Sequence, residues 1–556
     1  MKDNRHITRF DIIAILVITI IYSVVSFINL GDTVIPQTQP DLGNADKKEY
    51  ITYASLDEPE FIDSLMIFKG LGKCGITVYK SDDGGKSWEE AAKQVCENIY
   101  TWEKIKLECT AKNLCISVGG NSELEIFEAG FKTEDGATLA VNTDNCRLFD
   151  EQELVPLYPS YMNGTYFDEI HHVRTAYEHI KAIKPYEITH PPLGKILIAC
   201  GIKMFGMNPF GWRFSGNIFG ILMLALMYVF SKRIFKNSYF ALTATLLLAV
   251  DFMHFTQTRI ATIDSFAVFF IMLMYYLMYI YYDSSGEELP YKKSLWILTL
   301  CGIVFGLGIA TKWIAVYAGA GLAILFAAAV YKRYKNGELP FKTCLWCVLF
   351  FVLIPFGIYF LSYIPYFITD GKTSAIKTFW DNQVYMLTYH GGLESVHQFE
   401  SKWYTWPLML KPVWYFGSKE LAHMGLCSTI AVMGNPAVWW LGSLCLILIV
   451  LKRKKCGNSW FITAGFLSQF IPWAFIERST FIYHFFASVP FIILALVFVL
   501  KNISEKFKKG RIITLIIILI SIMLFFMFYP VISGCITSRG YVLKILTWFD
   551  SWILCF

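Results

Sequence analysis

Between Tyr166 and Lys195 the chain reads YFDEIHHVRTAYEHIKAIKPYEITHPPLGK, a charge-dense stretch set in a very hydrophobic protein. It opens on an acidic pair, Asp168-Glu169, followed by His171, His172 and Arg174, and closes on His190-Pro191-Pro192, where a new apolar run begins. Ionisable groups beside a lipid phase are costly and tend to mark functional sites. Carboxylates there can take a proton from a weak nucleophile, and cations can hold an anion such as a phosphate. Adjacent residues on a helix point about 100° apart, so Asp168 and Glu169 are expected to have different tasks. An acidic first helical turn, placed to suit the helix dipole, is the competing account of the pair. Neighbouring histidines rarely ligate one ion, and neither an HExxH motif nor a Cys pair accompanies them, so no metal site is expected.

The elements that must position these residues are membrane helices. Of 556 residues, 55% are hydrophobic and 17% aromatic, the net charge is +5, and the mean hydropathy is +0.46. Such a composition excludes an ordinary soluble protein, and the apolar runs are long enough to cross a bilayer many times. Lys2, Arg5 and Arg9 precede a first span at 11–30, which places the N-terminus in the cytoplasm; no cleavage pattern follows, so the span reads as an anchor. Further spans are expected at 212–231, 238–256, 263–282, 295–310, 313–331, 343–365, 436–451, 459–476, 480–500 and 511–531. Alternate loops carry clusters of Lys and Arg, such as Lys232/Arg233/Lys236 and Lys332/Arg333/Lys335, and these loops are assigned to the cytoplasm. The other turns hold lone basics only: Arg259, Lys312 and Arg478. This alternation requires that 193–205 does not cross; as a helix it would span about 20 Å, short of a hydrocarbon core of about 30 Å. The expectation is therefore eleven crossings, with the C-terminus outside.

Two long outside segments interrupt the spans. Residues 41–155 carry short alternating stretches separated by turn clusters, the pattern of a small antiparallel β-sandwich or jelly roll. They also hold Cys74, Cys96, Cys109, Cys115 and Cys146, an odd number that leaves disulfide pairing open. Ser81 to Trp88 (SDDGGKSW) resembles the Asp-box turn of sialidase-type propellers, and in a single copy it reads equally as a hairpin with a packed Trp. Residues 367–435 are rich in Trp, Tyr and His and are expected to lie as amphipathic segments at the membrane surface. The resulting divisions are 1–40 (tail and first span), 41–155 (insert), 156–211 (loop with the acidic pair and HPP), 212–366 (spans), 367–435 (second outside loop) and 436–556 (spans).

Six motifs in register, HPPLGK from His190, RIATIDS from Arg259, GLGIATKW from Gly306, YTWPLM from Tyr404, GNPAVWW from Gly434 and RSTFIYH from Arg478, together with the acidic pair, resemble the protein O-mannosyltransferase family of C-type membrane glycosyltransferases. The resemblance covers about 160–500 and is closest to the bacterial-type members, because the second outside loop is too short for the β-trefoil of the eukaryotic enzymes. The insert departs from the family pattern; it is similar to galactose-binding-like jelly rolls, which implies a carbohydrate- or acceptor-binding accessory.

The resemblance implies an inverting enzyme that moves mannose from a polyprenyl-phosphate donor to a Ser or Thr hydroxyl of an exported protein, among membrane lipids and with no nucleic acid involved. No cofactor is implied, since the sugar arrives on a lipid phosphate, and a divalent metal is not indicated. A hydroxyl is a poor nucleophile, so a carboxylate must accept its proton; Asp168 is the expected base, with Glu169 orienting neighbours such as Arg174. Leaving phosphate needs cations, for which His190, Lys195, Arg259, Lys312 and Arg478 are candidates, Arg478 foremost. Snorkelling to headgroups is the alternative for Lys195, and pairing with Asp264 or Glu477 for the lone basics. His171, Trp403, Trp406 and His484 complete the expected substrate-binding set, although the aromatic run at 403–415 also suits an interfacial belt. Transfer of another sugar to a lipid or wall polymer is a second reading. A lipid-linked sugar transporter is a third, disfavoured because no internal repeat is visible.

Overall fold

The structure, a computed structural model, describes residues 6–40, 49–120, 123–284, 289–337, 341–371, 373–392, 397–451 and 459–555. The chain forms two compact units, one of residues 1–28, 175–200 and 213–556, the other of residues 29–174 and 201–212.

The larger unit is helical. Helix α1 (Arg9–Phe27) starts at a capping box in which Thr8 accepts from the Asp11 amide and Asp11 accepts from that of Thr8. Asp11 also pairs with Lys232 at 3.1 Å and accepts from the Tyr228 hydroxyl at 2.7 Å, so one of the cations assigned to a cytoplasmic loop is spent on a buried pair. Along the rest of α1, Ile13, Val17, Ile20 and Val24 are exposed, as expected of a face turned to lipid. After α2 (Glu169–Lys181) comes α3 (Leu193–Phe205), whose 13 residues match the short segment that was not expected to cross.

Each of the eleven expected spans falls on helix. Among the described residues, eight helical segments are long and apolar enough to cross a membrane by themselves. These are α1, α4 (Pro209–Phe235), α7 (Asp264–Asp283), α8 (Tyr291–Thr311), α9 (Ile314–Lys335), the pair α10 (Phe341–Val348) and α11 (Ile354–Ser362) joined by a π-helical turn, the segment Ile482–Lys506 that contains α16 (Val489–Lys506), and α17 (Gly510–Ser533). The span at 238–256 is broken by 59° between α5 (Ser238–Ala249) and α6 (Phe252–Thr258). Asp251 causes the break: its side chain caps α6 by accepting from the His254 amide, and its other oxygen accepts from the Trp439 indole at 2.8 Å. The remaining two expected spans fall on shorter helices, α14 (Pro436–Leu451) and α15 (Trp460–Phe470), the latter extended by a 3₁₀ turn to Phe475.

Residues 367–435, expected to lie outside at the membrane surface, contain regular structure. A short α12 (Ile364–Thr369) leads into α13 (Ala375–Gly391), and Val413–Gly417 pairs antiparallel with Thr429–Val432. Helix α13 is fixed by a buried polar chain: the Trp313 indole donates to the Tyr359 hydroxyl at 3.0 Å, which donates to Gln383 at 2.7 Å, whose amide donates to the Tyr363 hydroxyl at 3.0 Å.

The smaller unit holds the all-β insert. Its strands are β1 (Glu49–Lys69), β2 (Cys74–Ser81), β3 (Glu89–Cys96), β4 (Thr101–Gly120), β5 (Ile126–Lys132) and β6 (Asn142–Thr143). They form one antiparallel sheet in the order β3-β2-β4-β1-β5, with β6 on β1. The long strands β1 and β4 shift register twice, between Ser55 and Glu60 and between Ile62 and Ser64 of β1. Such bulges bend a strand and increase its twist, and side chains from both arms of β1 (Ala54, Leu56, Leu65, Ile67) meet in one apolar core with Ile76, Ile116 and Phe131. Where the turn spacing suggests a two-sheet sandwich, the strands form a single bulged sheet, with β4 running unbroken from Thr101 to Gly120.

Candidate active site

Asp168 sits immediately before α2, half-buried, and its carbonyl accepts the amides of His171 and His172. The preceding Phe167 has φ of 50°, a conformation L side chains rarely adopt, which turns the chain into the helix at this residue. Glu169 is fully buried, and its carboxylate accepts from the Tyr166 amide at 3.3 Å. The two carboxylates thus have the separate environments expected, one partly open and one holding the turn. Arg174 forms an ion pair with Glu123 of the insert at 3.0 Å. His171 is half-buried and His172 buried along the same helix. Upstream, Thr165 bonds twice to the residues leading into β4, its amide to the Tyr100 carbonyl at 3.0 Å and its hydroxyl to that of Ile99. The insert therefore braces the chain three residues before Asp168.

In the helical unit the HPP loop is built on Glu187. Its amide donates to the Thr175 hydroxyl at 2.9 Å, and its carboxylate accepts from the Thr189 amide at 2.8 Å. Lys195, 0% exposed, donates to the Glu187 carboxylate, and at 2.8 Å to the carbonyls of Glu187 and His190. An ammonium has three hydrogens, so these bonds occupy Lys195 fully. It neither snorkels nor offers itself to a phosphate; the buried carboxylate holds it in the fold. Burial draws this ammonium below its ordinary range, and Glu187 opposes the shift.

Three of the expected cations differ in what they have left to give. Lys312 pairs with both oxygens of Asp264, at 2.8 and 2.9 Å, so the ion-pair alternative holds for it. Arg259 donates to the Ile28 carbonyl at 2.7 Å and lies over the Phe255 ring. Arg478 is half-buried and makes no ion pair among the described residues. His390, on the last turn of α13, was not among the residues read from the sequence, although a histidine at a helix C-terminus is a recognisable signal. Its Nε2 bonds the Thr189 carbonyl at 2.8 Å and its ring lies 5.2 Å from that of His190. Its buried Nδ1 has no partner among the described residues. Burial first, then the positive charge of Arg478 and Lys312, holds His390 below the ordinary histidine range. The neutral ring therefore keeps its hydrogen on Nε2 and a bare lone pair on Nδ1. Arg478 is thus the cation of this corner with charge left to give an anion; Lys312 is neutralised by Asp264, and the neutral His390 ring lies beside that of His190.

The aromatic run splits. Trp406 is 1% exposed, bonds Ser401, and packs against both His484 and Trp473, so it is a wall of the corner rather than an open platform. His484 is buried, with Nδ1 on the backbone of Phe481. Trp403 is half-buried against Phe470.

Comparison with known proteins gives the same membrane architecture. Residues 203–369 match the family described as dolichyl-phosphate-mannose-protein mannosyltransferase, and residues 375–552 the C-terminal four-transmembrane region of protein-O-mannosyltransferase. The chain is 28% identical over 432 residues to the polyprenol-phosphate-mannose–protein mannosyltransferase of Mycobacterium tuberculosis, covering 66% of this chain and 81% of that one. To the protein of the same name from Corynebacterium glutamicum it is 26% identical over 465 residues, covering 69% and 88%. The Saccharomyces cerevisiae protein O-mannosyltransferase Pmt1–Pmt2 complex bound to the sugar donor superimposes with a TM-score of 0.62 at 14% identity, over 70% of this chain and 89% of that one, which establishes a shared fold. With both family regions in order over the segments that carry Lys312, His390, Arg478 and His484, this multi-pass membrane protein belongs to the protein O-mannosyltransferase family.

Proposed function

We propose that this protein transfers mannose from a polyprenyl-phosphate-linked donor to Ser or Thr hydroxyls of exported proteins, with inversion, at the outer face of the membrane. The mycobacterial and corynebacterial relatives are named for that donor and for protein acceptors. The observation that carries the reading is the cationic corner, in which Arg478 has no ion-pair partner among the described residues while Lys312 and Lys195 do. A departing phosphate gains negative charge as the sugar leaves, and prearranged cations stabilise it most where water is scarce. We assign the phosphate to Arg478; neutral His390, whose open Nδ1 can only accept a hydrogen, lies beside it with His190. Asp168 accepts the hydroxyl proton as the new glycosidic bond forms and the sugar–phosphate bond breaks. Glu169 holds the turn that presents it. The reaction needs no nucleotide, and we assign it no metal.

The test supplies purified full-length protein with radiolabelled polyprenyl-phosphate-mannose and a Ser/Thr-rich peptide. Label in the peptide, alkali-labile and released as mannose, supports the reading. Label entering only lipid or polysaccharide overturns the acceptor assignment. Transfer that disappears after chelation would bring a metal into the reaction.

A further inference from the structure

The insert carries a second candidate site that the transfer reaction does not use. A groove of about 540 Å³ lies on its sheet, lined by Tyr53 and Ser55 of β1, Asn113 of β4, the β2–β3 turn, and Asn142 with Asp144 around β6. Strand alternation explains how these side chains come together. Thr52, Ala54 and Leu56 turn into the core, which sends Tyr53 and Ser55 outward, and Asn113 pairs directly with Ser55 across the ladder.

The SDDGGKSW turn supplies the opposite wall. Asp83 accepts from the amides of Lys86 and Ser87, both at 2.9 Å, and Ser81 accepts from the Gly85 amide at 2.8 Å. Gly84 and Gly85 take φ of 75° and 86°, which only glycine adopts at little cost. This rigid turn sets Trp88 against Tyr53, ring centres 5.6 Å apart, with Tyr53 48% exposed. Around the two rings stand polar groups with capacity to spare. The Asn113 amide makes no hydrogen bond among the described residues, and Asp144 gives one oxygen to the Tyr53 amide at 3.0 Å and keeps the other. Asn142 donates to Asp57 at 3.0 Å, leaving its carbonyl oxygen to accept. The lining holds no Lys, Arg or His.

We propose that this groove binds a neutral sugar. A pyranose presents C–H faces that stack on aromatic rings and a rim of hydroxyls that both donate and accept, which is the chemistry of this lining. A phosphate or other anion would meet Asp144 with no cation to hold it. The inference stands on the groove and needs no transfer activity; the proposed function enters only in naming mannosylated acceptor as one source of the sugar, wall glycan being the other.

Full-length protein in detergent is titrated, by calorimetry and saturation-transfer NMR, with mannobiose, a mannosylated Ser/Thr peptide, N-acetylglucosamine tetrasaccharide, and the unglycosylated peptide. Saturable binding of a saccharide is expected, weakened roughly tenfold or more by Trp88→Ala and by Asn113→Ala and largely kept by Trp88→Phe. Transfer to a short unglycosylated peptide should stay at the wild-type rate in all three, which also shows that they fold. Mannose ligands binding best names the product of transfer as the source; the tetrasaccharide binding best names wall glycan. No saturable saccharide binding up to about 10 mM, binding insensitive to both alanine variants, or Trp88-dependent binding of the bare peptide overturns the proposal.

Discussion

Asp168 is delivered by a residue in left-handed backbone, Phe167, and strain of that kind persists only where surrounding structure holds it. Replacing Asp168 with Asn keeps the shape and removes the basicity, so single-turnover transfer at saturating donor should fall by about 10²–10⁴ while donor binding is little changed. A rate within threefold of wild type would remove Asp168 from the mechanism. Arg478→Ala should differ in kind, weakening donor binding as well as turnover, because a cation that binds the phosphate would touch it in the ground state and in the transition state alike. Lys195 makes the contrast. Its pair with Glu187 is buried, and removing one partner of such a pair costs about 3–5 kcal/mol, whereas removing both can be nearly neutral. Glu187→Gln should therefore lower the unfolding temperature sharply, and Glu187→Gln with Lys195→Met should recover it. If the double variant is stable but no longer binds donor, Lys195 reaches the phosphate after all. The chemistry-bearing types were legible in the chain, yet which cation remained unspent was not. That depends on Glu187 and Asp264, whose partners lie 8 and 48 residues away in sequence.

At the scale of elements, the insert matters through one strand end. The Ile99 and Tyr100 carbonyls hold Thr165, and Gly164 packs so closely on Thr101 that a β-carbon would overlap its side chain and backbone. Gly164→Ala should push this seam apart and move the turn that carries Asp168. We expect transfer to a short peptide to drop by about tenfold or more, in line with the sensitivity of catalysis to small misplacements, with the protein still folded and membrane-inserted. Deleting 45–150 should likewise abolish transfer rather than only impair large acceptors, since it removes the brace as well as the sheet. Full basal activity in either variant would return the insert to the status of a detachable accessory. Periodicity disclosed the helices because each is a long apolar run. It disclosed the sheet less well: β1, with polar and charged residues at Asp57, Glu58 and Glu60 around its first bulge, breaks the alternation that marks a strand. Helix α13 was hidden for another reason. Its stabilising contacts are hydrogen bonds from Gln383 and His390 to distant partners, and these leave no local pattern.

For the whole molecule, the loop charges set an orientation that the thiols test independently. Cys74 and Cys96 are direct cross-strand partners whose thiols touch, and Cys427 touches Cys555. All four are thiols in this structure. By the loop charges the insert, the second long loop and the C-terminus share the outer side, where oxidising conditions let such pairs close to disulfides. Cys344 and Cys347, on α10, belong by the same reading to the reducing side. Membranes alkylated before any reductant is added should therefore yield linked peptides for Cys74–Cys96 and Cys427–Cys555, with Cys344 and Cys347 carrying the alkyl group. An impermeant maleimide applied to intact cells should label Lys419→Cys and spare Asn336→Cys, which sit in exposed positions of the second outside loop and of the turn after α9. Free thiols at all four outer positions would show only that the outer face is not oxidising, because the labelling arm does not depend on redox state. Labelling of Asn336→Cys from outside would invert every loop between α1 and α17. It would carry Arg478, His390 and Lys312 to the cytoplasmic face, and acceptors awaiting export would then replace exported ones as the substrates of the transfer.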